Sequence, residues 1–446
     1  MYDNSFGRKF FCVNFGIARL PANCPMMEIF SLSNEMFGLE VTDSSVRVMK
    51  LARRGREVRV VSANIVPIPA GTVKGGDIKD EAKLVAAIKE AVGKTAGDKI
   101  RARHVVFSLQ ENKAFLQVIK MPKLKNQDLH AAVVFEAENY IPLPLEKVYL
   151  DFEVVADAYS QNSANCEVMI AAFPREPIDS LIRAATLAGL VPVAMELESH
   201  AILRALSFGR KLESPTVMIQ IGDAKTNIIV YADNSIRFTF SIPISNRYFV
   251  ETIAKSVGAT LDKAAVLKRE CGIEEFTYLS RDTEPEDVVV ASDRQKIIRR
   301  ARQEENYDRQ KIFEALVPGL VDFIQQIKKC ITYYQTHYGG RSAAKDNIGK
   351  ILLCGSGADL KGLDEFIGMK LGTSVEVAGL PLKKDIFDIF EEKNGHCDPC
   401  SFAVTFGLAL RAMGWGGELP AVLKTKRIVS VPKPPAAKRR VQVKKN

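Results

Sequence analysis

No apolar run in this 446-residue chain approaches the ~18 residues needed to span a bilayer. No Asp or Glu follows Glu418, whereas nine Lys and Arg do, from Lys424 to Lys445. Those nine equal the whole net charge of +9, so the body of the chain is neutral. The basic character belongs to the tail, which removes the argument for a nucleic-acid partner. Zinc-type cysteine pairing is missing as well. Of eight cysteines, only His396-Cys397-Asp398-Pro399-Cys400 has Cys-x-x-Cys spacing, with no second pair to complete a metal site. That stretch is either a redox pair at a helix start or two unpaired thiols there. Cys166, Cys330 and Cys354 sit inside apolar patterns, as reduced thiols of a cytoplasmic protein do.

Enzyme signatures are also scarce. No Gly-x-x-x-x-Gly-Lys-Ser/Thr occurs, which excludes a P-loop. A dinucleotide fingerprint starting at Gly355 would need glycine at Leu360. The five histidines form no His-Glu-x-x-His, and Gly355-Ser356-Gly357 is too short for a hydrolase elbow. A hydrophobic content of 47% with 26% charged residues is that of a globular chain, long enough for two or three domains.

What is present is a strand–turn–strand segment and its echo. Gly38-Leu39-Glu40-Val41-Thr42-Asp43-Ser44-Ser45-Val46-Arg47-Val48 alternates with period two on either side of a small polar turn. Ile219-Gln220-Ile221-Gly222-Asp223-Ala224-Lys225-Thr226-Asn227-Ile228-Ile229 repeats the shape. Glu40 aligns with Gln220, Thr42 with Gly222, Asp43 with Asp223 and Arg47 with Asn227. The pair reads either as two unrelated hairpins or as a duplicated domain with a ligand between its halves. A third turn, Gly355-Ser356-Gly357-Ala358, follows a strand and opens a helix, where phosphate or ribose is often held.

Elsewhere, periodicity predicts helices at 80–92, 125–141, 176–188, 199–208, 247–257, 261–270, 360–370 and 401–413. A further long core helix is expected to start at Pro318-Gly319. Strands are predicted at 104–109, 115–121, 149–155, 167–173, 190–195, 235–244 and 350–354. Glu136 and Glu138 on the 125–141 helix point in different directions, as a solvated face does rather than a catalytic pair. Residues 1–26 look unlike a folded start and are expected to be a disordered leader. Translation from a start upstream of the native one would account for them. The expected organisation is 27–209 as a first half, 210–418 as a second half with a charged excursion at 273–310, and 419–446 as a flexible basic tail.

The three turns together, two from duplicated halves and one before a helix, form the constellation that holds a nucleotide triphosphate in the actin-like ATPase fold. In their order along the chain they resemble the PilM family of type IV pilus assembly. Phe37–Arg47 resembles its first phosphate loop, and Glu136–Pro144 with Tyr149–Phe152 its Glu-x-Glu-x-Tyr-Ile-Pro segment. Gly189–Val193 with Glu196 and Glu198 resembles its connecting stretch. Arg237–Ile244 follows the second phosphate loop as it does in the family, and Ile351–Ala358 resembles its adenosine loop. The resemblance implies an α/β, duplicated RNase H-like fold with a small inserted α/β subdomain at about 103–173. It implies nucleotide contacts from Thr42, Asp43, Ser44, Ser45, Gly222, Asp223, Ala224, Lys225, Thr226, Gly355, Ser356 and Gly357. Glu40, Asp223 and Glu196 would hold Mg²⁺.

It also implies a partner, the cytoplasmic N-terminal peptide of a PilN-like inner-membrane protein, docked on the half that carries the insert. Other pilus platform or motor proteins, and an oligomeric ring, belong to the same picture, at the cytoplasmic face of the inner membrane. The tail adds an electrostatic contact to anionic lipid.

This chain departs from the family at the chemistry. Glu40 stands where Asp is usual, and the neutral Gln220 stands at the matching Asp. Thr42 replaces a glycine, with a β-branch that disfavours positive φ, and Ser356 replaces another. An octahedral Mg²⁺ site tolerates little of this. The expectation is therefore a scaffold with weak or vestigial ATP and Mg²⁺ binding and little or no hydrolysis. The alternatives are an active actin-like ATPase, or an FtsA-like division or filament protein, against which the Pro- and Lys-rich tail argues.

Overall fold

A computed structural model describes residues 35–55, 57–124, 126–154, 165–233, 235–273, 307–338, 347–380 and 399–414. The leader, most of the 273–310 excursion, residues 396–398 and the 419–446 tail lie outside the described residues.

The first half opens on β1 (Met36–Val41), which turns into β2 (Ser45–Arg54) and then β3 (Glu57–Pro67). A small ladder of β4 (Val73–Lys74) and β5 (Asp77–Ile78) leads to α1 (Glu81–Gly93). Asp80 caps that helix by accepting from the Lys83 N–H, and Leu84, Ala87, Ile88 and Ala91 form its buried stripe. After β6 (Ala96–Gly97) and β7 (His104–Leu109) the chain leaves to build the insert. The insert holds β8 (Phe115–Pro122), α2 (Asn126–Ala137), β9 (Val148–Val154) and β10 (Asn165–Pro174). The chain returns through α3 (Arg175–Leu187), β11 (Val191–Leu197) and α4 (Glu198–Ser207).

The second half runs β12 (Thr216–Ile221), β13 (Thr226–Ala232), β14 (Ser235–Ile242), α5 (Asn246–Val257) and α6 (Leu261–Glu270). It continues with α7 (Tyr307–Tyr338), β15 (Lys350–Cys354), α8 (Leu363–Leu371), β16 (Val375–Val377) and α9 (Ala403–Ala412).

Duplication is visible in the strand order. The first sheet reads β11-β7-β1-β2-β3-β6 and the second β16-β15-β12-β13-β14. In each, a central strand pairs antiparallel with the next strand in sequence and parallel with a later one. Those central strands are buried on both faces, which is why they read as nearly continuous apolar runs. Glu40 is the exception, a carboxylate with 1% of its surface exposed.

The insert forms its own three-stranded antiparallel sheet, β8-β10-β9, over a separate core that includes Val133, Ile141 and Val168. It begins after Leu109 rather than at 103, because β7 pairs parallel with β1 and β11 inside the main sheet. The long helix also differs from expectation. α7 starts at Tyr307 and carries Pro318 within it. Buried Ile312 and Leu316 extend the apolar stripe upstream of the proline, so packing outweighs the hydrogen bond lost there.

α9 joins the two halves. It packs on β1 and α4 of the first half, and all ten of its residues are buried. Close approach requires glycine on both sides. A Cβ on Gly38 would lie 2.7 Å from the Ala409 nitrogen, and one on Gly407 would collide with the Ala201 carbonyl.

Candidate functional site

The two hairpin turns share a strand register and a closing backbone hydrogen bond. Glu40 faces Arg47 across β1 and β2, and Gln220 faces Asn227 across β12 and β13. The Thr42 N–H donates to the Ser45 carbonyl at 2.9 Å, and the Gly222 N–H donates to the Lys225 carbonyl at 2.9 Å. Neither Thr42 nor Gly222 has positive φ, so threonine at this position is not strained. The crowding expected of Thr42 is absent because the turn does not use the left-handed region.

Thr42 instead fills the first turn with its own hydroxyl. Its Oγ1 accepts from the backbone N–H groups of Ser44 at 3.3 Å and Ser45 at 3.0 Å. Those are N–H groups that a phosphate loop would direct at an anion. Asp43 turns the other way, accepting from the N–H of Gly75 at 2.7 Å, that of Gly76 at 3.3 Å and the Gln110 amide at 3.3 Å. Glu40 accepts from the Thr405 hydroxyl of α9 at 2.6 Å and lies 3.5 Å from the Arg47 guanidinium. Burial pushes its carboxyl above the usual range, and Arg47 and Thr405 offset only part of that rise.

From the same hairpin, one group of the turn and one of β2 cross the cleft to the second half. The Ser44 hydroxyl donates to Asp223 at 3.0 Å, and Arg47 donates to the same carboxylate at 2.8 Å. Asp223 is further bound by the Ser356 hydroxyl at 2.5 Å and the Asn246 amide at 3.4 Å. Burial alone would raise this carboxyl. Arg47 and the two serines outweigh burial and hold it well below the usual carboxylate range.

The second turn is otherwise neutral or satisfied. The Asn227 amide donates to Gln220 at 3.0 Å and Glu198 at 2.8 Å, and its oxygen accepts from Ser241 at 2.7 Å. Lys225 pairs with Glu198 at 3.1 Å. The Thr226 hydroxyl is buried and donates to the Ile244 carbonyl at 2.7 Å, while Ala224 is exposed at the tip. At the third turn, Gly355 has φ of 93° and a Cβ there would meet the Ile221 carbonyl at 2.4 Å. Gly357 is equally tight against the Ile221 side chain. Ser356 carries no such constraint, and its carbonyl accepts from buried Lys268 at 2.9 Å. Burial lowers the Lys268 pKa against the pull of Asp359, 2.5 Å away.

The three carboxylates expected to hold Mg²⁺ are each committed to arginine. Glu40 and Asp223 share Arg47. Glu196 is clasped by Arg204 and by Arg411, the latter at 2.6 Å, which outweigh its burial and lower its pKa. Among the described residues, no group of three His, Cys, Asp or Glu side chains converges on a metal position. The donors present do not fit a hydrated divalent ion carrying a triphosphate. A metal would have to displace guanidinium groups from buried carboxylates, leaving those cations unpaired.

Of the residues named for nucleotide or metal contact, the structure joins Ser44, Asp223 and Ser356 by hydrogen bonds to one another, and sends Asp43, Thr226 and Glu196 to other partners. Arg47, Asn246, Glu198 and Thr405 are site residues that sequence reading missed. Arg47 alternates with Val46 and Val48 and so reads as the polar face of a strand. Its alignment with neutral Asn227 was the available signal. Glu111 is also buried near this wall and accepts from the Ser199 N–H at 3.3 Å; burial raises its carboxyl.

Comparison with known proteins places these features in a family context. A family model described as type IV pilus assembly protein PilM matches residues 38–278, more than half of the chain. One described as cell division protein FtsA matches residues 217–388. A solved PilM-PilN type IV pilus biogenesis complex is 24% identical with a TM-score of 0.64, covering 85% of this chain and 98% of that one. The ethanolamine utilization protein EutJ of Carboxydothermus hydrogenoformans is 13% identical, with a TM-score of 0.45 over 84% of this chain and 88% of that one. MreB5 of Spiroplasma citri bound to ADP is 11% identical, with a TM-score of 0.43 over 84% and 95%.

Proposed function

Because the chain belongs to the family of type IV pilus assembly protein PilM, with its actin-like fold of two mixed sheets, we propose that it is a scaffold rather than an ATPase. In this reading it sits at the cytoplasmic face of the inner membrane, in the platform that assembles the pilus. There it docks the N-terminal cytoplasmic peptide of a PilN-like membrane protein. No helix among the described residues is long and apolar enough to cross a membrane. The solved relative is itself a complex with PilN, which supports the choice of partner.

The observation that carries the scaffold reading is the Arg47–Asp223 pair across the cleft. An active ATPase would need Glu40, Asp223 or Glu196 for metal, and each is paired with an arginine, Glu40 and Asp223 sharing Arg47. Docking on the insert is supported by its surface. Phe135 of α2 is 70% exposed, and Tyr140 and Leu143, which follow it, are exposed too. Calorimetric titration with the N-terminal peptide of a PilN-like protein from the same genome is the test. One peptide per chain is expected to bind with or without Mg–ATP, and Phe135→Ser should weaken it about tenfold. Peptide binding that required Mg–ATP, or steady phosphate release, would reverse the reading.

A further inference from the structure

We infer that the cleft is an anion site already filled by the protein's own Asp223 carboxylate, which clasps the two halves together where a bound phosphate group would otherwise bridge them. This rests on the reading of the cleft as lacking nucleotide turnover, and adds what holds it shut.

Asp223 is surrounded as a bound oxyanion is. Oδ2 accepts from the Ser44 hydroxyl and the Arg47 guanidinium, and Oδ1 accepts from the Ser356 hydroxyl and the Asn246 amide. These four donors come from the first turn, β2, the turn after β15 and the start of α5. Two belong to the first half and two to the second. A charge-assisted set of this kind suits a phosphoryl group as well as a carboxylate, since both present several acceptor oxygens to hydroxyl, amide and guanidinium donors. Nearby, Thr42 Oγ1 already accepts from the Ser44 and Ser45 N–H groups, so the turn has less left to offer an external anion. Arg47 also faces buried Glu40, so its charge serves a carboxylate on each side. Lys268 lies behind Asn246 and the Ser356 carbonyl, and holds both in place.

The consequence is that closure of the cleft needs no nucleotide. Removing the carboxylate while leaving its donors should therefore create an external anion site. The full chain and Asp223→Ala are compared by thermal melting and calorimetry, with inorganic phosphate, pyrophosphate and Mg–ATP as probes at matched ionic strength. The unaltered chain should show no change in melting temperature with any probe. Asp223→Ala should melt lower and recover with phosphate or pyrophosphate in the absence of Mg²⁺, binding about tenfold tighter than the unaltered chain. Adding Arg47→Ala to that variant should abolish the recovery. Asp223→Ser, which also vacates the carboxylate, is scored the same way if the alanine variant does not fold. Micromolar Mg–ATP binding by the unaltered chain, or no anion rescue of either Asp223 variant, would overturn the clasp. PilN-like peptide binding is measured on the same samples. Its loss in the unaltered chain would count against the scaffold reading and leave the clasp standing.

Discussion

At the end of the central hairpin, the first half places Glu40 opposite Arg47; at the same register the second half places Gln220 opposite Asn227. The backbone hydrogen bond that closes each turn is the same length. Duplication thus preserved the frame while the side chains diverged into a charged pair and an amide pair. The charged pair reaches outward, because Arg47 has a second carboxylate to meet in Asp223. The amide pair is neutral and shorter in reach, since Asn227 spends its donors and acceptor on Gln220 and Ser241 of its own sheet and on Glu198 at the start of α4. Both turns therefore touch the other half, the first by sending Arg47 and Ser44 to Asp223 and the second by holding Glu198 of α4 through Asn227 and Lys225.

The largest effect should come from cutting the charged pair. Arg47→Ala leaves Glu40 buried with Thr405 as its remaining neighbour and strips Asp223 of its cation. Breaking a buried pair from one side costs about 3–5 kcal/mol. Urea unfolding should show a loss of stability of that size, read as the midpoint shift multiplied by the slope of the transition, and a loss no greater than that of an exposed lysine would show that the clasp carries no weight.

Acid sharpens the same contrast. His200, on α4, is fully buried, and burial holds its pKa down to about 4 against the pull of Glu196. Its folded pKa lies below the unfolded value near 6.5, so the unfolded state takes up the proton first. Stability from this group is therefore lost as pH falls from 6.5 to about 4, by about 3 kcal/mol. Asp223 behaves differently. Its depressed pKa preserves the clasp through that window, and its contribution fades only below the unfolded value of 3.8. Glu40 and Glu111, with raised pKa values, act in the opposite direction to His200. Melting between pH 7 and 4 should flatten in His200→Gln and keep its slope in Asp223→Asn. The reverse pattern would assign the acid sensitivity to the cleft.

Cutting the amide pair should cost less. Asn227→Ala removes a fully buried side chain and leaves partners of its three hydrogen bonds unsatisfied, at about 1–3 kcal/mol. Because its contacts stay within the second half and its border with α4, the variant should leave anion and peptide titrations unchanged. If Asn227→Ala cost as much as Arg47→Ala, charge would not be what distinguishes the two turns.

Much of the frame was legible because it is written in periodicity. The alignments of Glu40 with Gln220 and of Arg47 with Asn227 come from strand alternation alone, and the register places each pair at equivalent points. The helix stripes of α1, α5 and α6 were readable for the same reason. The site was less legible, since its contacts join residues far apart in sequence. Arg47 lies 176 positions from Asp223, and Thr405 lies 365 from Glu40. No local pattern says that a strand's polar face will cross a cleft, or that a late helix will return to the first half. Pro318 misled for a related reason: a local breaker was overruled by the packing of Ile312 and Leu316.

The smallest effect tests whether the two turns really share a backbone. Thr42 and Gly222 hold equivalent places, and neither has positive φ. A Cβ on Gly222 would sit 3.0 Å from the Lys225 backbone carbonyl and 3.3 Å from the Gln220 amide, so the side chain of Gln220 must move and the turn backbone must give by a few tenths of an ångström. A threonine there could offer its hydroxyl to the turn N–H groups, as Thr42 does for Ser44 and Ser45. Gly222→Thr should therefore change stability by less than about 1 kcal/mol, contact strain and the new hydrogen bonds nearly cancelling. The reciprocal Thr42→Gly gives up those bonds and adds unfolded-state freedom, so it should lose about 1 kcal/mol or slightly more. Melting curves on the two variants decide the matter. A collapse in Gly222→Thr comparable to Arg47→Ala would mean that the second turn needs glycine for a reason other than φ, and that the halves match in hydrogen bonding but not in space.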